Sequence, residues 1–387
     1  MQEMTQTKKL PFIFVAAFVC LYGSMTCLGT TVASNATEHS SVVVQKSPHL
    51  KTIQFANTPP TVPPTPPAEV EPVGTNLPPA KRGVDLVRFM KKLREFQISM
   101  ALLPIARPNF IRGIYLTNNT AMQLKTLKHF VDQSQKNGVN TLVIDAQGKM
   151  LTDEHMSIIK TRGLFPVARI VCFELGLKNK FPDGNHVNKI LVLMEESAKA
   201  GFREIQLDYI RYADYKELQR LPLKFKYEQI NGVLTKARNK ANELGVELSA
   251  DVFGRITLNE NDHIGQKLEN FGQFVHTLYP MVYPSHYYGD PAKIANPYGT
   301  VKEGVENSKE RIPQTRIVAY IQGFGMSIQE SGLSLSQYVY KQFKAVDDAK
   351  GDGWVVWNAR NDYSATWAAL RHYQSIAQNA KLNPPKL

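Results

Sequence analysis

The chain has 387 residues, 43% hydrophobic and 21% charged, which is the composition of a globular protein with an ordinary core. At roughly 100–200 residues per domain, that length admits one large or two ordinary domains. The formal net charge of +12 suits an anionic neighbour. No zinc-finger spacing or basic and aromatic alternation accompanies it, so nucleic acid is excluded as the expected partner.

Taken in chain order, Lys8 and Lys9 precede an apolar run, Leu10 to Tyr22, and Thr31-Val32-Ala33 follows with small residues. This is the three-part pattern of a secretory signal. Continued to Leu28, the run approaches the roughly 20 residues that span a bilayer, so residues 1–33 read as a signal peptide or an N-terminal membrane anchor. The expected location is therefore exported: periplasm or cell envelope, with membrane association through this segment. Residues 34–82 form a Pro-rich linker, with Pro59, Pro60, Pro63, Pro64, Pro66 and Pro67 crowded together. Such a stretch lacks backbone donors and favours extended polyproline II.

Residues 83–111 are a basic amphipathic helix and lead-in. Val84, Leu86, Val87, Met90, Leu93 and Phe96 suit one helical face, and Arg88, Lys91, Lys92 and Arg94 the other. The expectation is a helix packed under the following domain; the alternative is a helix touching an anionic surface. Cys20 and Cys27 fall in the N-terminal segment, which leaves Cys172 alone in the run Arg169-Ile170-Val171-Cys172-Phe173 as a buried, inert thiol.

Residues 112–387 alternate short β-type runs with longer helical stretches. Strands are expected at 113–117, 141–145, 167–173, 204–209, 247–253, 277–283, 316–322 and 353–358. Helices are expected at 120–137, 187–200, 225–244, 264–271, 298–308, 335–349 and 365–377. Eight such units over roughly 250 residues have the rhythm of a (β/α)8 TIM-type barrel. An open doubly wound sheet would need a Gly-rich phosphate turn after its first strand, and Tyr115-Leu116-Thr117-Asn118-Asn119 has none.

In such barrels chemistry sits at the C-terminal strand ends. Those ends carry Asp145, Glu174, Gln206, Asp208, Arg211, Asp251, Tyr283, His286, Tyr287, Gln322, Trp357 and Asn358. Strand side chains alternate faces, so Gln206 shares a face with Asp208, and Ser249 with Asp251. If both sets point inward, two aspartates meet from adjacent strands. Paired carboxylates can hold different protonation states at one pH, which glycosidic cleavage requires. Asp208 is the candidate nucleophile or base, Asp251 the acid and Glu174 the reserve acid. Asp208 could instead pair with Arg211. Tyr283, Tyr287 and Trp357 would offer faces to sugar rings; Asp145, Gln206, Arg211, His286, Gln322 and Asn358 would bind hydroxyls. Tyr279 and Trp354 read as core. The scattered histidines show no ligand spacing, so no metal and no cofactor is expected.

Several strings then become recognisable. Gly201 to Arg211, Ser249 to Gly254, Ile264-Gly265-Gln266, Pro280 to Tyr287, Asn296-Pro297-Tyr298 and Trp357 to Tyr363 resemble, in order, a bacterial glycoside-hydrolase family once described as a domain of unknown function. The resemblance covers nearly all of Arg112 to Trp367. It implies a TIM-type barrel acting on a polysaccharide or oligosaccharide. Two departures stand out. Members tend to carry further acids where this chain has Ala146-Gln147-Gly148-Lys149 and Gly323. The alternative function is therefore a non-catalytic glycan-binding envelope protein on the same barrel.

Overall fold

The computed structural model describes residues 82–102 and 105–382. The expected signal or anchor segment and the linker up to residue 81 lie outside the described residues. Nine strands form one parallel sheet: β1 Ile111–Leu116, β2 Thr141–Asp145, β3 Phe165–Val171, β4 Glu204–Asp208, β5 Glu247–Phe253, β6 Thr277–Met281, β7 Arg316–Ile317, β8 Ala319–Gln322 and β9 Gly353–Trp357. β7 and β8 are two pieces of one barrel strand, since the intervening Val318 still donates its N–H to Leu278 O at 3.0 Å. The sheet runs from β1 through β6 to β7/β8 and β9. It closes where β9 pairs with β1, giving an eight-stranded (β/α)8 barrel.

The strands sit where β-branched and apolar residues cluster, because each must be covered on both faces. Outward residues such as Leu142, Ile144, Ile205, Leu207, Leu248 and Ala250 pack under the surrounding helices. Cys172 lies in that layer, and burial pushes its thiol well up, away from thiolate. Trp354 is fully buried there against Phe343, with ring centres 4.2 Å apart. Inward residues build a second core around the barrel axis: Ile111, Val143, Phe165, Val167, Tyr279, Val318, Tyr320 and Val355.

The helices follow the expected order with several changes: the one expected over 120–137 divides into Asn118–Met122 and Leu124–Lys136, and short helices are added at Lys216–Gln219 and Pro291–Ala295. A helix over Asp153–Thr161 joins β2 to β3; the sequence reading has none there. The helix expected over 264–271 shrinks to Leu268–Phe271, because Gly265 takes a left-handed φ of 77° and the chain before it forms a turn.

The base of the barrel is closed by the lead-in, not by the helix before it. That helix, Arg82–Leu102, runs beside Asp153–Thr161, yet Leu86, Val87, Phe89, Met90, Leu93 and Phe96 remain exposed. The expectation that its apolar face packs under the barrel is thus corrected. Ile105 packs into the axial core, and Arg107 enters the base. Its guanidinium meets Glu204 at 3.1 Å and Glu247 at 2.6 Å, while Tyr279 donates its hydroxyl to Glu204 at 2.8 Å. A cavity of about 400 Å³ opens at this same end, lined by residues including Arg107, Phe165, Arg203 and His276.

Glu204 is fully buried, so Arg107 is its only charge compensation at the base among the described residues. Arg107→Met should therefore destabilise the fold by roughly 3–5 kcal/mol, as breaking one partner of a buried ion pair does. The double variant with Glu204→Gln should recover much of that loss. Urea unfolding of the three variants checks this; equal losses in the single and the double would show that the pair is not coupled.

Candidate active site

The C-terminal mouth of the barrel is organised by Arg169 on β3. The residue register sets Arg169 opposite Asp145 on β2 and Gln206 on β4. It therefore points inward, with Val167, and its long side chain reaches the next level up. Nη1 donates to Asp145 Oδ1 at 2.5 Å. Nη2 and Nε both donate to Asp208 Oδ2, at 2.5 and 3.1 Å. Nε also approaches Asp251 Oδ2 at 3.7 Å, beyond hydrogen-bonding distance. The guanidinium lies over the Trp357 ring at 4.9 Å and near that of Tyr115 at 5.6 Å. Those two rings stack with centres 3.9 Å apart, and the Tyr115 hydroxyl donates to Asp145.

Asp208 and Asp251 do come together from neighbouring strands. Both approach one guanidinium nitrogen, so their nearer oxygens are at most about 7 Å apart, inside the range of paired glycosidase carboxylates. Their settings differ. Asp208 ends β4, and the next residue, Tyr209, turns the chain outward with a left-handed φ of 56°. That turn aims the Tyr209 N–H at Asp208 Oδ1, at 2.5 Å. A bulky residue in this region carries strain, and strain of this kind concentrates at functional sites. Neither oxygen of Asp251 accepts a hydrogen bond from the described residues. Burial, then the neighbouring Asp208 charge, push its carboxyl well above the usual range, so Asp251 keeps its proton. Both groups are closed off, 3% exposed for Asp208 and 1% for Asp251.

The other expected residues divide into two groups. Asp145 and Trp357 belong to the Arg169 cluster. Tyr283 is buried beside the pair; burial raises its hydroxyl well above the usual range. His286 meets Tyr283 edge-on at 5.1 Å, and burial pushes it down to about 4, so it is neutral at pH 7. Gln206 lies below the pair, accepting the Tyr320 hydroxyl at 2.9 Å. Tyr287 is buried, with Lys293 over its ring at 5.9 Å.

Three expectations are corrected by their contacts. Gln322 and Asn358 do not present free amides to a sugar. Gln322 accepts from Ser285 N and donates to the carbonyls of Phe324 and Met326; Asn358 donates to Gly323 O and Asp362 O and accepts from Arg360 N. They shape loops. Glu174 sits exposed in the turn after β3, where Leu175 adopts a φ of 62°, apart from the buried carboxylates. Arg211 does not pair with Asp208: it donates to Tyr212 O and meets Asp214 at 3.3 Å, over the ring of Phe253.

Sequence reasoning overlooks Arg169 and Tyr115. The available signal is a lone arginine at an inward position of a strand otherwise apolar, which must find acids on neighbouring strands. Gln266 is a third omission. Its amide donates to Ile210 O and Asp251 O and accepts from Phe253 N, which ties the end of β5 to that of β4. The two departures from the family pattern also gain a physical reason. A Cβ at Gly323 would lie 2.4 Å from Val356 Cγ1, and one at Gly148 (φ 106°) 2.9 Å from Asn118 Oδ1. Neither place has room for an acidic side chain.

Residues 185–363 match the family described as "Putative glycosyl hydrolase domain". The match spans β4 to β9 and both aspartates. Among solved structures, the chain is similar to the hyperthermostable endo-1,4-beta-D-mannanase from Thermotoga petrophila RKU-1. The identity is 12%, over 70% of this chain and 100% of that one, with a TM-score of 0.50. It is also similar to the "C-terminal domain of putative chitinase" from Desulfitobacterium hafniense DCB-2, at 9% identity over 69% and 99% of the two chains, again with a TM-score of 0.50. At such identities the likeness is one of fold. No curated protein matches the chain.

The protonated state of Asp251 has a consequence for stability. The unfolded chain releases this proton from about pH 4 upward, whereas the folded chain holds it, so the group costs the fold progressively more as pH rises. Asp251→Asn removes that cost. Its melting temperature relative to the natural chain should climb between pH 4 and pH 7. A constant offset across that range would mean that Asp251 is ionised in the fold.

Proposed function

We propose that this protein is an O-glycosyl hydrolase that cleaves a cell-envelope or extracellular polysaccharide, with Asp251 as acid and Asp208 as its charged partner. The observation that carries this reading is the asymmetric pair. Two aspartates from adjacent strands share one guanidinium; one accepts its hydrogen bonds, while the other accepts none and is pushed by burial toward its protonated form. In the reaction, Asp251 gives its proton to the glycosidic oxygen as the bond from the anomeric carbon to that oxygen breaks. Asp208 supports the positive charge that develops on the sugar, by attack on the anomeric carbon or by taking a proton from the attacking water. Water supplies the new hydroxyl; its proton returns to Asp251 directly when Asp208 has attacked, and by way of Asp208 and solvent when Asp208 is the base. Each turnover leaves one new reducing end. Tyr283 and Trp357 line the approach and offer ring faces to the sugar, with His286 as a neutral hydrogen-bonding partner. Because both carboxylates are buried, these rim side chains must part to admit substrate.

The location belongs to the same proposal. The signal or anchor pattern at residues 1–33 supports a barrel exported from the cytoplasm.

The near-complete burial of the pair favours a second reading, a barrel that binds glycan without cleaving it. Reducing-end release from a panel of envelope polysaccharides separates the two. Under the catalytic reading the natural chain releases reducing ends, and Asp208→Asn lowers kcat by about 10³-fold or more while the chain still folds, with Asp145 left to pair with Arg169. Glycan binding without release, or full activity in that variant, would leave the second reading standing.

A further inference from the structure

We propose that Arg169 is the positioning residue that decides which of the two aspartates holds the proton. The inference rests on the catalytic reading above for its meaning in turnover, but its physical content stands on the geometry.

Around Asp251 stand Asp208 from β4, Asp145 from β2, the phenols of Tyr283 and Tyr320 and, among the described residues, one cation that serves these acids, Arg169; Glu204, also on β4, is matched by Arg107. One positive charge cannot offset every carboxylate in a closed space, so a proton must remain. The orientation of the guanidinium fixes where. Its fork turns two N–H groups onto Asp208 and one onto Asp145, and leaves Asp251 at 3.7 Å without a hydrogen bond. A planar fork has one way to lie here, because the Trp357 ring supports it at 4.9 Å and Asp145 is held in turn by the Tyr115 hydroxyl. Tyr115 is anchored as well: its carbonyl accepts from Asn361 at 3.2 Å and from the Tyr363 hydroxyl. A lysine has the charge but not the fork, and it would let the proton pass between the two aspartates. Arg169 is buried and its donors are committed to carboxylates, so it acts through the pair and not by touching sugar.

The test is a titration of the chain labelled with ¹³C at aspartate carboxyls. The two resonances are assigned by their loss in Asp208→Asn and Asp251→Asn. In Arg169→Lys the first ionisation of the pair should move up by about one pH unit, since the anion loses its paired donors. In Asp145→Asn it should move down, since a competing carboxylate is gone and the fork serves Asp208 alone. The acid limb of the kcat profile should follow the same opposite shifts, with KM held within about twofold. Unmoved midpoints in both variants would overturn the proposal, as would a loss confined to KM. Should Arg169→Lys fail to fold, the downward shift in Asp145→Asn decides. A natural chain that cleaves no glycan sinks the hydrolase reading, while the titration still judges Arg169.

Discussion

The guanidinium of Arg169 stands alone among carboxylates at the mouth of the barrel, and its geometry constrains much of what surrounds it. It must be inward on β3, so that strand cannot slip by one residue without turning the charge into the apolar outer layer. It must be supported from beneath, which Trp357 and Tyr115 do from the two strands that close the barrel. It must be matched by acids, which arrive from β2, β4 and β5. Barrel closure, register and the polar cluster are thus one arrangement seen at three scales.

The same logic is repeated at the other end with a different purpose. Arg107 enters the base from the lead-in and meets Glu204 and Glu247. There Glu247 is half exposed to water, so Arg107 is matched to the one buried acid, Glu204, and Tyr279 completes the set. At the mouth the acids outnumber the cation, and a proton makes up the difference. A balanced buried cluster closes a structure, whereas an unbalanced one stores a titratable proton where chemistry can draw on it. An axial apolar layer that includes Val143, Val167, Val318 and Val355 lies between the two.

Much of this was legible in the sequence. The strands at 141–145 and 247–253 coincide with β2 and β5, because an apolar run leads up to Asp145 in the first and apolar residues alternate with Ser249 and Asp251 in the second. Alternation alone puts Gln206 on one face with Asp208 and Ser249 with Asp251; that this face is the inner one comes from the structure. The helix over Asp153–Thr161 was hidden because its buried face carries His155, Ser157 and Lys160, which break the apolar period. Their polar atoms find local partners, as when His155 joins Thr152 Oγ1 and Met122 O. Gln322 and Asn358 sit at strand ends like ligand-binding residues, but what an amide bonds to depends on loops whose path alternation does not encode. Arg169 was passed over for the opposite reason: a strand that reads as apolar invites attention to its apolar residues. The strings from Ile264 to Gln266 and from Trp357 to Tyr363 prove to contain braces. Gln266 fixes the end of β5, while Asn361 and Tyr363 fix the end of β1.

The central claim is that Asp251 carries a proton at neutral pH. The infrared difference spectrum between the natural chain and Asp251→Asn at pH 7 tests it most directly. The account predicts the loss of one protonated-carboxyl C=O band, shifted by deuterium exchange, with no loss of carboxylate absorption. Loss of a carboxylate band in its place would show that Asp251 is ionised and would contradict the account.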